Sequence, residues 1–215
     1  MSTIQKNGIF INLKRIFDFI ASLMAFLFLL PLFAIIAIAI KLDSAGSIFY
    51  RGWRTGLGGR PFRILKFRTM VQDAEKIGSG TTALGDSRIT RIGGFLRKYK
   101  IDELPQFINV IRGDMSIVGP RPELLEWTQK YSENEKCILD VKPGISDLSS
   151  VEFSSLDECV GPTDAHMVFK DRFLSRKNEL RIKYVKERSF CLDIKIILMT
   201  IQVVLLKILR NKRTI

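Results

Sequence analysis

Two adjacent carboxylates, Asp102 and Glu103, stand directly before Leu104-Pro105. Aspartate is a favoured helix N-cap, and proline suits the first turn, where its missing N–H costs little. A carboxylate so placed faces free backbone N–H groups and the positive end of the helix dipole, which keeps it ionised at neutral pH. Spacing alone supports two readings and favours the first, a helix cap. The second is a carboxylate nucleophile beside a second carboxylate. Aspartate can attack phosphorus and form a covalent intermediate, which divides one hard transfer into two easier ones. The cations around the pair suit phosphate: Lys66 and Arg68, Arg97 five residues before Asp102, then Arg112 and Arg121. Arg121 lies between Pro120 and Pro122 in Gly119-Pro120-Arg121-Pro122, which fixes the backbone and aims a guanidinium for bidentate phosphate binding. A solvated basic surface explains scattered lysines equally well, and a proline-braced arginine less well. A pyrophosphate substrate also calls for a Mg²⁺ ion held by one or two carboxylates, and Asp102, Glu103 and Asp114 are the nearest.

Composition narrows the chemistry further. The only histidine is His166, so His-based zinc sites and Ser-His-Asp or Cys-His arrangements fall away. Cys137, Cys159 and Cys191 are odd in number and widely spaced, which suggests a reducing compartment and no disulfide framework. The 215 residues suffice for one domain with a real core, and the formal charge of +12 calls for anionic partners. Nucleic acid, lipid headgroups and phosphorylated small molecules all qualify. A membrane-tethered nucleic-acid-binding protein is therefore the alternative reading. It would need a recognition helix or an aromatic stacking surface interleaved with basic residues, and neither is visible.

Several elements must position these groups. From Ile16 to Ile40 the chain is almost wholly apolar, long enough to cross a bilayer, and too long for a signal peptide. Pro31 interrupts it. Basic residues flank both ends, Lys14 and Arg15 before and Lys41, Arg51 and Arg54 after, so charge picks no single cytoplasmic side. Two half-helices that dip into one leaflet and return explain those flanks, whereas a kinked spanning helix explains the length equally well. The runs Ile48-Phe49-Tyr50 and Phe62 to Arg68 around Gly56, Gly58 and Gly59 predict a β-hairpin. Helices are expected over Ile89–Lys100, weakened by Gly93-Gly94, over Asp102–Ile111, stopped by Gly113, and over Pro122–Leu139. Lys142-Pro143-Gly144 reads as a turn, and residues 145–165 as irregular. Two basic helical stretches follow, Asp171–Arg188 and Leu192–Leu209, the latter expected at the membrane surface.

Read together, the motifs resemble one family. Lys66-Phe67-Arg68-Thr69-Met70, Leu96-Arg97, Ile101 to Gln106, Asn109 to Ser116, Val118 to Pro122 and Lys142 to Ile145 are similar, in order and spacing, to the bacterial sugar transferases. The likeness is to their small monotopic phosphoglycosyl transferases, which act on polyprenol phosphate. It implies an α+β fold: a mostly helical membrane-surface domain with a small β-hairpin and an N-terminal re-entrant, proline-broken membrane helix. Residues 1–42 would form that helix-break-helix. Residues 43–215 would form the cytoplasmic catalytic domain with interfacial C-terminal helices. The implied reaction joins a nucleoside-diphosphate sugar, UDP-linked by expectation, to undecaprenyl phosphate and releases the nucleoside monophosphate. Asp102 would be the nucleophile and, with Mg²⁺ as cofactor, the metal-binding residue. Glu103 would assist or position the acceptor phosphate. Lys66, Arg68, Arg97, Arg112, Pro120, Arg121 and Pro122 would line the phosphate and nucleotide site. The resemblance places the chain at the bacterial inner membrane facing the cytoplasm, serving glycan assembly, with a nucleotide sugar, polyprenol phosphate and lipid as partners and no nucleic acid. The oligomeric state stays open, a homodimer included. One departure is Leu30, where relatives commonly carry serine before the proline. The stretch Ile145–Glu158 is expected to shape sugar choice.

Overall fold

The computed structural model describes residues 3–74, 86–153 and 173–212. Helix α1 runs over Thr3–Asp43, 41 residues with Pro31 inside. The expected break into two half-helices is not a helix end here. An interior proline removes one i→i−4 bond and bends a helix, and the flanking apolar run continues it. One stripe of α1 is buried at helical spacing: Asp18, Ser22, Phe33, Ile36 and Ile40, with Phe26 and Leu29 partly covered. The other faces are bare, Phe28 at 85% exposure and Leu42 at 84% being extremes.

The hairpin forms as expected, between β1 (Phe49–Thr55) and β2 (Pro61–Phe67), with Tyr50 opposite Lys66 and Trp53 opposite Arg63. Its faces serve two cores. Phe67 joins Phe33, Ile36, Ile40 and Leu96 against α1, while Phe62 and Ile64 pack on Val110 and Met115. Lys66 lies on the second face, which aims it at the next elements.

Helix α2 spans Arg91–Lys98, capped by the Thr90 hydroxyl, which accepts from Gly93 N–H at 3.0 Å. Gly93 is there for proximity rather than weakness, since a Cβ on it would lie 2.0 Å from the Thr69 carbonyl. A 3₁₀ turn at Ile101–Glu103 leads through Pro105 into α3, Gln106–Arg112, which ends at Gly113. Asn109 is fully buried and ties α3 to β2: its Oδ1 accepts from Leu65 N–H at 2.8 Å and its Nδ2 donates to the Arg63 carbonyl at 2.9 Å.

A parallel pair follows that the sequence reading lacked, β3 (Ser116–Val118) beside β4 (Gly144–Ser146). The expected turn at Lys142-Pro143-Gly144 is thus the entry to β4. The two backbones meet so closely that a Cβ on Gly144 would lie 2.1 Å from Gly119 N. The helix expected over Pro122–Leu139 is reduced to α4, Leu125–Thr128, and a 3₁₀ turn at Lys136–Asp140. Glu135 accepts from the Ser132 N–H and hydroxyl at 2.8 and 2.7 Å, a local turn that competes with helix. The stretch expected to be irregular holds α5, Leu148–Glu152, and its residues 154–165 lie outside the described chain.

Helices α6 (Ser175–Glu187) and α7 (Phe190–Lys212) close the fold. Asp193 and Thr200 of α7 point inward, while Lys195 and Gln202 are exposed. Asp193 accepts from Lys14 at 2.6 Å and from the Tyr184 hydroxyl at 2.8 Å, and Thr200 bonds Ser146. Its outward stripe is Phe190, Ile194, Leu198, Ile201 and Leu205.

Candidate active site

Lys66 reaches the site from β2, Asp102 and Glu103 from the 3₁₀ turn, and Arg121 from the segment after β3. Lys100 adopts a left-handed conformation (φ 57°) that turns the chain sharply into Ile101–Glu103. The turn is bounded below by Leu104 and Pro105, so both carboxylates face inward, Asp102 at 7% exposure and Glu103 at 9%.

Glu103 is clamped. Its Oε1 accepts from Lys66 Nζ at 2.7 Å, and Arg121 grips both of its oxygens, Nη1 at 3.0 Å from Oε2 and Nη2 on Oε1. Burial alone would raise its pKa, but the Arg121 and Lys66 charges outweigh that and hold it well below the usual carboxylate range. The same contacts raise the Arg121 guanidinium, chiefly through the Glu103 charge. Burial lowers Lys66, and the Glu103 charge opposes that.

Asp102 is the opposite case. Its Oδ1 is buried without a hydrogen-bond partner. It caps nothing: the position before α3 is Pro105, that before the 3₁₀ turn is Lys100, and neither helix start has a side-chain cap bond. The cap reading is therefore overturned, together with the dipole as its source of charge stabilisation. Burial pushes Asp102 up; Lys66, then Lys100 and Arg97, pull it back, and Glu103 adds to the rise. A desolvated carboxylate with an unsatisfied oxygen is a stronger nucleophile than a solvated one.

Other expected residues separate. Arg97 stays near the pair, its Nε donating to Thr69 Oγ1 at 2.8 Å. Pro120 and Pro122 are buried and flank Arg121 as expected. Arg68 does not join them. Its guanidinium donates to the carbonyls of Ala45 and Ser44 at 2.6 and 2.7 Å and to Ser44 Oγ at 2.9 Å. It holds the chain just past α1 and reaches one of that helix's last carbonyls, Ile40, at 3.4 Å. Arg112 is exposed in the last turn of α3, and the charges that act on the pair come from Lys66, Arg97, Lys100 and Arg121. Asp114 is engaged by Asn109 Nδ2 at 3.2 Å. Two residues were not singled out for this site. Lys100 is visible only once its left-handed turn is known. Asp147 accepts from the Arg121 N–H at 3.3 Å, and its Asp-x-x-Ser spacing before α5 is the signal that could have found it.

A divalent ion can be tested against these donors. Among the described residues, no three His, Cys, Asp or Glu side chains cluster. Both Glu103 oxygens are taken by cations, which leaves the unpartnered Asp102 oxygen. That set does not make a closed cage, but it fits Mg²⁺, which keeps waters and joins one or two carboxylates to substrate phosphates.

Residues 10–207 match the family described as bacterial sugar transferase. The chain is 35% identical over 209 residues to a UDP-N-acetylgalactosamine-undecaprenyl-phosphate N-acetylgalactosaminephosphotransferase of Aeromonas hydrophila, covering 95% of this chain and 46% of that protein. It is 37% identical to a UDP-glucose:undecaprenyl-phosphate glucose-1-phosphate transferase of Caulobacter vibrioides, covering 87% and 68%. It is also 35% identical to the uncharacterized sugar transferase EpsL of Bacillus subtilis, covering 90% and 87%. The chain spans less than half the length of several of the curated relatives it matches. With the match running from α1 to α7, the chain belongs to the bacterial sugar transferase family.

Proposed function

We propose that the chain transfers a phosphosugar from a nucleoside-diphosphate sugar, UDP-linked as in the relatives' names, to undecaprenyl phosphate. The observation that carries this reading is the divided pair: an unpartnered buried Asp102 oxygen beside a Glu103 held by Lys66 and Arg121. The Asp102 carboxylate attacks the sugar-bearing phosphorus. The bond from that phosphorus to the bridging oxygen breaks, and the nucleoside monophosphate leaves with the oxygen and its electron pair. A phosphate oxygen of the polyprenol phosphate then attacks the same phosphorus, and the Asp102 carboxylate is released. Lys66, Arg97 and Arg121 offset charge on the phosphates. Mg²⁺, held by Asp102 and phosphate oxygens, would supply further charge neutralisation. Glu103 is too weak a base, with its pKa held so low, to lead proton removal, so we assign it to orienting Arg121 and Lys66.

We also propose a monotopic seat on the inner membrane, facing the cytoplasm. Both halves of α1 are fastened to the same body. Arg15 donates to the Val110 and Ile111 carbonyls at 2.6 and 2.9 Å, and Asp18 accepts from Ser116 Oγ at 2.7 Å. Phe33, Ile36 and Ile40 pack on Phe67 and Leu96. A bend at Pro31 lets the apolar middle enter one leaflet while both ends stay with that body. Relatives over the same stretch are named for different sugars, and we propose that the Ile145–Glu158 stretch, whose residues 154–158 lie outside the described chain and whose Asp147 bonds the Arg121 N–H, selects the sugar.

The test incubates the chain in liposomes with a panel of nucleoside-diphosphate sugars, undecaprenyl phosphate and Mg²⁺, and measures monophosphate release. One sugar giving release in proportion to added undecaprenyl phosphate supports the reading. No release with any donor would sink it.

A further inference from the structure

Behind Arg121 lies a second buried charge cluster to which no step of the proposed phosphoryl transfer is assigned. Its hub is Asp147, 2% exposed, on the loop between β4 and α5. One oxygen accepts from Ser150 N–H at 2.7 Å and caps α5. The other accepts from Ser149 Oγ at 2.6 Å and from the Arg121 N–H at 3.3 Å. Arg181 of α6 lies 4.0 Å from that same oxygen. Its side chain is fully enclosed, and it donates to Glu123 at 2.5 Å and to Asn178 Oδ1 at 2.9 Å. Glu123 in turn accepts Thr55 N–H through its backbone carbonyl at 3.0 Å, which ties the segment to the hairpin.

The arrangement brackets Arg121 from both sides. Its own N–H is held by Asp147, and the side chain two positions later is held by Arg181, with Pro120 and Pro122 removing freedom between them. A guanidinium that must grip both Glu103 oxygens needs its backbone fixed, because small errors at the Cα grow along the long side chain. Burying Arg181 and Asp147 carries a desolvation cost that an apolar pair would avoid. Charge at this place therefore calls for a reason beyond stability.

Resting on the phosphoglycosyl transfer reading above, we propose that Asp147, braced by Arg181, is a positioning residue that sets the Arg121 backbone so that Arg121 and Glu103 meet the substrate phosphates in register.

The informative variant is Asp147→Glu. It keeps the charge that faces Arg181 but moves the oxygens by one methylene, away from the Arg121 N–H. Asp147→Asn removes the charge and turns an amide toward one of the donors. Each variant is made alone and with Arg121→Lys, which keeps a cation but loses the two-pronged grip. Turnover is measured beside the thermal midpoint and the membrane-bound fraction. Both Asp147 variants are expected to lower kcat, by about 100-fold for a displaced phosphate contact, while Asp147→Glu stays folded and membrane-bound at the assay temperature with a midpoint lowered by the displaced cap and the added methylene. In the Arg121→Lys background the Asp147→Glu change should add no more than about a further 2-fold, because two changes acting through one group do not multiply. Full turnover in Asp147→Glu, or effects that multiply in the double variant, would overturn the positioning role. If Asp147→Asn unfolds, the Asp147→Glu comparison still decides. The wild-type rate separates the two claims. An inactive wild type counts against the reaction, and an active wild type with a silent Asp147 counts against this inference alone.

Discussion

Asp102 and Glu103 share a turn and a depth of burial, yet their surroundings drive them apart. Glu103 has two cations within hydrogen-bonding distance; Asp102 has a buried oxygen with no donor. Asp102→Asn should therefore abolish turnover, by on the order of 10³-fold or more, with no monophosphate burst from donor alone. The same variant should raise the thermal midpoint. Asp102 titrates higher when folded than its ordinary value of 3.8, so its charge costs stability at neutral pH. That cost is absent below the unfolded value and grows as pH rises towards the folded one. A nucleophile that gains rate at the expense of stability shows both signs in one variant, whereas a structural aspartate loses both. The pH profile follows the same logic. The nucleophile must be ionised, so the acid limb of kcat should lie above the ordinary aspartate range and remain in Glu103→Gln if residual rate permits its measurement. A limb that vanishes in Glu103→Gln would assign it to Glu103 instead.

At the level of elements, the site is as accurate as the contact between β2 and α3, which delivers Lys66 to Glu103. Asn109 makes that contact with both ends of its amide. Asn109→Ala leaves the Leu65 N–H and the Arg63 carbonyl unpaired in a buried place. It should cost about 2–4 kcal/mol in denaturant unfolding, and turnover should fall through the displaced Lys66. Leucine in its place should cost as much, because the missing acceptor for Leu65 N–H and the missing donor to the Arg63 carbonyl, not the missing volume, are the injury. What the sequence made legible here was local. Glycines around aromatic runs announced the hairpin, and Gly113 announced the end of α3. The β3–β4 pair was invisible because each strand has three residues and its partner lies far along the chain. The helix expected after Pro122 failed because Ser132 and Glu135 close their own turn. Among the site residues, Asp102, Glu103, Lys66, Arg97 and Arg121 converge, since the turn and the prolines that place them are themselves readable. Arg68 was misread because the carbonyls it serves exist only once α1 has ended beside it. Lys100 and Asp147 depend on a left-handed turn and a cross-chain bond, and neither leaves a strong mark in composition.

Across the described residues, α1 and α7 turn long apolar stripes outward while Asp18, Ser22 and Asp193 are buried, the reverse of the usual pattern for a helix bathed in water. Such a surface calls for lipid. Length allows α1 to span, for 41 residues at about 1.5 Å each reach roughly 60 Å. Packing argues otherwise. Lys14 bonds Asp193 at 2.6 Å and Arg15 bonds α3 carbonyls, so the N-terminal half is joined to the same polar body as the C-terminal half. Crossing would break these bonds, take Asp18 away from its Ser116 and Ile117 donors and leave Asp193 without Lys14, and unpaired buried charge is costly. The topology can be read directly in a protein whose Cys137, Cys159 and Cys191 are changed to serine and whose Gly8 is changed to cysteine. In intact spheroplasts a membrane-impermeant maleimide should leave position 8 unlabelled, and opening the membrane should label it fully. A second cysteine at Ser47, just past the far end of α1, should behave identically. If position 8 labels from outside while position 47 does not, α1 spans the bilayer and the monotopic seat is wrong. Asp18→Ala sharpens the point, because it removes a bond that holds the N-terminal half without shortening the apolar run. Partial outside labelling of position 8 in that variant alone would identify the buried polar contacts, rather than Pro31, as what holds the proposed one-sided seat.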